Sequence, residues 1–347
     1  MRQAGWRCVP FFVREPGRSP RDVVPCDRLS CFSCKYRKIR IDCLACCGRR
    51  MKKIWRAFLL KKGDVMEVVL AKNAGFCMGV RRAVETTLGM VKKDETAIAT
   101  FGPLIHNPQV LKLLEEQGVK ILTEIPAQAT GAIIIRAHGI PPEEKKKLEA
   151  TGARVEDATC PRVLKVQAII ARYKKEGYST VIIGDREHAE VEGLMGYAGN
   201  TGQVVNSETD VAILRLDGPY IIVSQTTQDE YLFERLKEAI LQKYPGGEVF
   251  NTICDSTHKR QEEVRQLCQE VNALVVVGGK TSANTKRLGE IAESLGCPVF
   301  MVESETDLEP KALQGYGRVG VTAGASTPNW VIGRIVEVLE NIKKIPI

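Results

Sequence analysis

From residue 66 onward the chain repeats one alternation. Short apolar runs ("MEVVLA", "TAIATFG", "GAIIIRA", "STVIIGD", "PYIIVSQ", "ALVVVGG", "CPVFMVE", "GRVGVTAG") punctuate longer stretches whose apolar residues recur every three or four positions. The short runs are the pattern of strands buried on both faces. The longer stretches predict amphipathic helices: "RRAVETTLGMVKK", "NPQVLKLLEEQG", "PEEKKKLEATG", "RVLKVQAIIARYKKEG", "FERLKEAILQKYPGG", "HKRQEEVRQLCQEV", "ANTKRLGEIAESLG" and "NWVIGRIVEVLENIKK". Strand and helix in alternation imply an α/β fold with mainly parallel sheets. In such sheets ligands sit at the loops leaving the carboxyl ends of the strands.

Residues 1–65 lack this periodicity and are broken by Pro10, Pro16, Pro20 and Pro25. They also hold the positive charge. The head carries 17 Lys and Arg against 5 Asp and Glu, a net of +12, whereas the rest of the chain nets −4. Seven of the 12 cysteines lie in the head, including Cys31-x-x-Cys34 and Cys43-x-x-Cys46. Those pairs suggest a zinc knuckle, but the gap between them is short for the better-known ribbons. The bland reading is an unstructured leader, or upstream sequence ahead of a working start at Met66. "CVPFF" is too short and too closely flanked by arginine for a secretory core, so an intracellular, cytoplasmic setting is expected. No apolar run reaches the length of a membrane span. With the basic charge confined to the head, no nucleic acid is expected for residues 66–347.

Three loops of the body each place one cysteine at the mouth of a helix: "NAGFCMGVRRAVE", "EDATCPRVLKVQ" and "NTICDSTHKRQEE". Their cysteines, Cys77, Cys160 and Cys254, lie 83 and 94 residues apart. A polar strand-end residue follows each at nearly one offset: His106 after 29 residues, His188 after 28, Ser282 after 28. A second set follows at 61, 66 and 72: His138, Thr226 and Ser326. The reading is one αβ unit used three times around a pseudo-threefold axis, three cysteines aimed at its centre and six polar loops ringing it. Val264, Leu267, Cys268 and Val271 share a helix face, so Cys268 reads as core, and Cys297 reads as buried filler ahead of a strand.

Helix N-termini favour thiolate. Three thiolates suit a 4Fe–4S cluster with one iron left without a protein ligand. Zinc is the rival metal, though catalytic zinc usually takes histidines or closely spaced ligands. The polar ring reads as an anion pocket. His106 and His138 are two of only four histidines, and "GGKTSANTKR" offers hydroxyls and amides ahead of a helix, as does "TAGASTPNW" with Ser326. Glu190 is a candidate proton donor, and the Thr226 hydroxyl a relay. The His188-x-Glu190 pair lacks the Pro-Cys-x-x-Cys of a zinc deaminase.

These motifs, in this order, resemble the IspH/LytB family of 4-hydroxy-3-methylbut-2-enyl diphosphate reductases: "AKNAGFCMGVRRAV", the "HN" of His106, the "AHG" of His138, "DATCP", "HAEVEG", "SQTT", "ICDST", "GGKTSANTKRL" and "GVTAGAST". The resemblance spans about residues 66–340. It implies a trefoil of three αβ domains with pseudo-threefold symmetry around a central iron–sulfur cluster. The expected divisions are 66–160 with the N-terminal strand, 161–253, and 254–347 with the C-terminal tail. It implies the last step of the non-mevalonate isoprenoid pathway, in which the 4-hydroxyl is reductively removed to give isopentenyl and dimethylallyl diphosphates. It implies one 4Fe–4S cluster on Cys77, Cys160 and Cys254, whose open iron takes the substrate's hydroxyl oxygen. His106, His138, Ser282, Asn284 and Ser326 would hold the diphosphate. Glu190 would donate the proton, with Thr226 and His188 completing the network beside the hydroxyl. A ferredoxin or flavodoxin would supply electrons. Ala283 stands where some members carry a second serine, and the basic head has no family counterpart. Two other readings are a non-redox 4Fe–4S dehydratase and a redox-sensing nucleic-acid-binding regulator that uses the head. Gly75 and Gly79, beside Cys77, are expected to let the backbone approach the cluster and start a helix at once.

Overall fold

The computed structural model describes residues 66–93 and 97–342. The basic head 1–65, with both CxxC pairs, lies outside the described residues. Among the described residues twelve strands form three four-stranded sheets, and every pairing is parallel.

The first sheet runs β3 (Lys120–Leu122), β2 (Ile98–Phe101), β4 (Ala132–Ile135), β5 (Arg154–Asp157). The second runs β7 (Gly202–Val205), β6 (Ser179–Ile183), β8 (Tyr220–Ser224), β9 (Glu248–Val249). The third repeats that order with β11 (Val299–Val302), β10 (Ala273–Val277), β12 (Arg318–Ala323), and closes with β1 (Glu67–Leu70). Each sheet separates two apolar layers. In β10, Ala273, Val275 and Val277 join Ile335 and Leu339 on one face. Leu274 and Val276 join Val264, Leu288 and Ile291 on the other. That two-sided burial is why the central strands read as unbroken apolar runs.

The eight runs named from the sequence are strands. Four further strands, β3, β5, β7 and β9, were not among them. All four are edges of the first two sheets, short and in part solvated, with charged or small residues such as those of "RVED" and "GQVV".

The borrowed edge strand β1 explains how the three cysteines meet. The edge strand of each sheet feeds a cysteine loop, and the cysteine opens the first helix of the next sheet's unit. Cys160 follows β5 and caps the helix Pro161–Lys175; Cys254 follows β9 and caps Asp255–Leu267; Cys77 follows β1 and caps Met78–Val91. The three cysteines thus sit at the three junctions between consecutive sheets.

Strand register measures the repeat. Phe101 lies opposite Ile135, Ile183 opposite Ser224, and Val277 opposite Ala323. Five residues beyond the first of each pair stand His106, His188 and Ser282, as the sequence spacing implied. Three beyond the second stand His138, Thr227 and Ser326. Thr227, not Thr226, is therefore the counterpart of His138 and Ser326; an offset counted from the cysteine could not see a one-residue difference.

Candidate active site

The cysteine backbones are anchored alike. Cys77 N–H donates to Ala325 O (3.0 Å), Cys160 N–H to Ala137 O (2.9 Å) and Cys254 N–H to Thr226 O (2.9 Å). Each acceptor lies two residues past the third strand of the same sheet. The side chains then project from three helix starts into one cavity, which occupies about 690 Å³ including its open mouth. Cysteine is a poor helix cap. The Cys77 sulfur accepts the Val80 N–H at 3.4 Å; the Cys160 sulfur faces the Arg162 and Val163 N–H groups without a capping bond, and Cys254 makes no capping bond either. A Ser or Asp there would be worth about 1 kcal/mol more to the helix. These positions serve the sulfur rather than the helix.

The loop to Cys77 is longer. Register places Cys160 and Cys254 three residues past the point opposite the end of the central strand, and Cys77 five past it. The extra length holds Gly75, at φ +102°, where an added Cβ would lie 2.6 Å from Asn329 Oδ1. Gly79 has a different task. A Cβ there would overlap the Cys160 sulfur, so the bare backbone leaves room for a second cysteine.

Helix starts were expected to lower the thiol pKa. At Cys160 burial prevails and pushes the thiol up, although backbone N–H groups of Arg162 and Val163 act the other way; Cys77 and Cys254 add mutual repulsion. The sulfurs are thus close enough to oppose one another's ionisation. All three are free of disulfides. Cys268 is half-buried and Cys297 buried, packed on the core of the third sheet as expected. The donor set fits an iron–sulfur group better than a structural zinc, since three soft ligands converge with no fourth cysteine among the described residues of the cavity wall.

On the wall of the same cavity three histidines converge. Ring centroids lie 4.5 Å apart for His106 and His138, 5.3 Å for His138 and His188, and 5.5 Å for His106 and His188. One ring nitrogen from each falls within 4.8 Å of the others, so the trio has the spacing to hold a metal ion as well as an anion. Burial lowers the pKa of all three. His188 falls to about 4, with repulsion from His106 as the next cause. Each shift favours the neutral ring at neutral pH. His188 Nδ1 accepts the Glu190 N–H at 3.1 Å, which leaves its remaining proton on Nε2. Among the residues that line the cavity, two buried side-chain atoms have no partner, His138 Nδ1 and Asn284 Nδ2. Asn284 lies on the helix Ala283–Ser294, whose cap is Ser282. Ser326 Oγ donates to His106 O at 3.2 Å and ties the first sheet to the third. Convergent imidazoles, hydroxyls and an unpaired amide N–H at a helix start suit an oxyanion.

Glu190 lies two residues past His188, in the first turn of the helix Ala189–Ala198, and is 2% exposed. Thr226 N–H donates to its Oε1 (2.6 Å) and Thr226 Oγ1 to its Oε2 (2.8 Å). Burial raises the Glu190 pKa to about 7, against the pull of those two bonds. The carboxyl can therefore gain or lose a proton near neutrality, and the Thr226 hydroxyl can donate to it or accept from it.

All eleven residues singled out from the sequence line this one cavity. Thr227, Ser256, Thr257 and Arg162 line it too and were not singled out. Thr227 could have been found by counting from the strand end. The other three show no pattern of their own.

A family model described as LytB protein matches residues 68–340. The 4-hydroxy-3-methylbut-2-enyl diphosphate reductase of Geotalea uraniireducens is 43% identical over 284 residues, covering 80% of this chain and 99% of that protein. The enzyme of the same name from Geobacter sulfurreducens is 43% identical over 275 residues, covering 78% and 96%. The solved E-1-hydroxy-2-methyl-but-2-enyl-4-diphosphate reductase of Plasmodium falciparum superposes with a TM-score of 0.77 at 28% identity, over 80% of this chain and 89% of that one. A structure of (E)-4-hydroxy-3-methyl-but-2-enyl diphosphate reductase, described as the terminal enzyme of the non-mevalonate pathway, gives 0.60 at 37% identity, over 80% and 100%.

Proposed function

Because this chain belongs to the LytB family, we propose that it is an oxidoreductase that removes the 4-hydroxyl of 4-hydroxy-3-methylbut-2-enyl diphosphate, the last step of the non-mevalonate pathway. Two electrons and two protons enter, the carbon–oxygen bond breaks, and isopentenyl or dimethylallyl diphosphate leaves with one water. The observation that carries the reading is one cavity lined by three cysteines, three clustered histidines and a buried carboxyl.

Cys77, Cys160 and Cys254 would hold a 4Fe–4S cluster, which would supply electrons and a Lewis-acidic iron at the substrate's hydroxyl. The chain's own residues do the rest. His106, His138, Ser282, Asn284 and Ser326 bind the diphosphate, the unpaired Asn284 Nδ2 and His138 Nδ1 gaining the partners they lack. His188 offers its Nε2 proton beside them. Glu190 holds a proton near neutral pH and passes it through Thr226 Oγ1 toward the departing oxygen. Ala283, at the first position of its helix, brings no hydroxyl, so the anion relies on Ser282 and Asn284 on that side. A ferredoxin or flavodoxin would deliver the electrons in a cytoplasmic setting. Among the described residues no helix is long and apolar enough to cross a membrane. The relatives named as reductases lend no support to the dehydratase or regulator readings.

The test is anaerobic turnover. The full-length chain is supplied with iron and sulfide, then a reduced viologen dye and the hydroxylated C5 diphosphate. Substrate-dependent dye oxidation, lost in Glu190→Gln, is the expected result. No oxidation by a chain that has taken up iron and sulfide would sink the substrate assignment.

A further inference from the structure

Arg260 is a buried cation whose hydrogen-bond partners among the described residues are all neutral. It lies on the helix Asp255–Leu267, which begins at Cys254, and is 5% exposed. Nη1 donates to Ser256 O and Ser256 Oγ, both at 2.8 Å, and Nη2 to Gly75 O at 2.6 Å. Nε has no partner. Every partner is neutral. The nearby carboxylate, Glu263, adds a favourable charge but makes no bond to the guanidinium; its oxygens accept from Lys72 N–H at 2.5 Å, Asn73 N–H at 2.9 Å and Asn73 Nδ2 at 3.0 Å. Burying a guanidinium without a counter-charge in contact costs up to several kcal/mol. The sulfurs of Cys77 and Cys254 lie within its electrostatic reach, and as thiolates they favour its charge.

Arg260 is also one link of a ring. Arg82, on the helix that Cys77 starts, donates to Thr159 O at 3.0 Å, next to Cys160. Arg162, on the helix that Cys160 starts, pairs with Asp255, next to Cys254. Arg260, on the helix that Cys254 starts, returns to Gly75 O, two residues before Cys77. Each cysteine helix thus grips the next cysteine's loop, and the chain of grips closes.

We propose that Arg260 is the charge-balancing and positioning residue of the cysteine centre: it offsets the negative charge of the three thiolates and the group they hold, and it locks the Cys77 loop onto the Cys254 helix. This rests on the reading that the three cysteines hold an iron–sulfur cluster. Each electron added to that centre makes it more negative, so a fixed buried cation makes reduction easier.

The test uses the full-length chain, supplied anaerobically with iron and sulfide, as Arg260→Gln and Arg260→Lys. Two readouts serve: the rate of iron loss to a chelator, and the midpoint potential followed by the cluster's spectrum. R260Q is expected to lose iron about 10- to 100-fold faster, the usual effect of removing an outer partner of a metal site. Its midpoint should fall by about 59 mV or more, equivalent to tenfold in a one-electron equilibrium. R260K keeps the charge without the planar fork, so it should restore most of the potential and less of the retention. If R260Q lowers only thermal stability and leaves potential and iron loss unchanged, Arg260 is a mere tie between loops and the proposal falls. Where R260Q holds no cluster, R260K decides: a midpoint like that of the unaltered chain upholds the charge role, and one displaced by tenfold or more overturns it. An unaltered chain that takes up no iron and sulfide removes the cluster reading itself, a failure visible without any variant.

Discussion

At the histidine end of the cavity, the arginines that act on the rings are already paired: Arg136 with Glu192 at 3.1 Å and Arg287 with Asp185 at 3.0 Å. At the cysteine end, Arg260 is buried and bound only to neutral oxygens. The two ends answer anions of different permanence. A resident anionic centre can face a fixed cation at all times. A diphosphate that must also leave is better met by neutral imidazoles, whose charge can appear with the ligand and go with it. In that reading the difference between the ends separates holding a cofactor from turning over a substrate.

Glu190→Gln should divide the two most sharply. It keeps the size and the contact with Thr226 but carries no transferable proton. Turnover should fall by about 10²–10⁴-fold, with iron content and diphosphate affinity unchanged. Loss of iron in this variant would mean that Glu190 supports the cysteine end instead. Asn284→Ala acts on the anion alone. It removes one hydrogen bond to a charged group, about 1.5–3 kcal/mol, so KM should rise roughly 10- to 100-fold with cluster spectra intact. An unchanged KM would take Asn284 out of the diphosphate site.

The sheet interiors were legible because burial on both faces writes itself as uninterrupted Val and Ile, as in "ALVVV" of β10. The cavity was legible because its residues recur at fixed distances from strand ends, so spacing alone gathered the three cysteines and the first polar set. What stayed hidden depends on contacts between repeats. Arg260 sits in "HKRQEE", where two of its neighbours are charged and solvated; only the fold shows that its side chain turns inward to Gly75. Thr227 was hidden by a one-residue difference in loop length. The edge strands were hidden by their solvated faces.

The two glycines beside Cys77 sharpen the cysteine end. Gly79→Ala places a methyl against the Cys160 sulfur and should lower iron uptake. Gly75→Ala acts first on the backbone, since φ +102° is costly for any residue with a Cβ, about 1–2 kcal/mol. Its expected effect is a lower melting temperature of the iron-free chain, with iron loss as a consequence. Full iron and sulfide in Gly79→Ala would mean that the sulfur can move aside.

The smallest effect expected is on protons, and it tests whether the histidine end acquires charge with its ligand. Burial lowers the His188 pKa to about 4 from 6.5. The unfolded chain therefore binds this proton before the folded one, and the contribution of His188 to stability is lost as pH falls from 6.5 toward 4. Glu190 has the opposite sign. Raised to about 7 from 4.5, it favours the folded state at low pH, and that contribution is lost as pH rises from 4.5 through 7. Melting temperatures of the iron-free chain should accordingly lose the second slope in Glu190→Gln and the first in His188→Asn. Inorganic pyrophosphate then probes the filled site. An anion among the three rings favours their protonated forms, so binding near pH 6.5 should draw protons from solution, read by calorimetry in buffers of different ionisation enthalpy. The uptake should shrink as pH rises and shrink again in His188→Asn. Binding with no proton uptake at any pH would show that the imidazoles act only as neutral donors, and the contrast between the two ends would then rest on Arg260 alone.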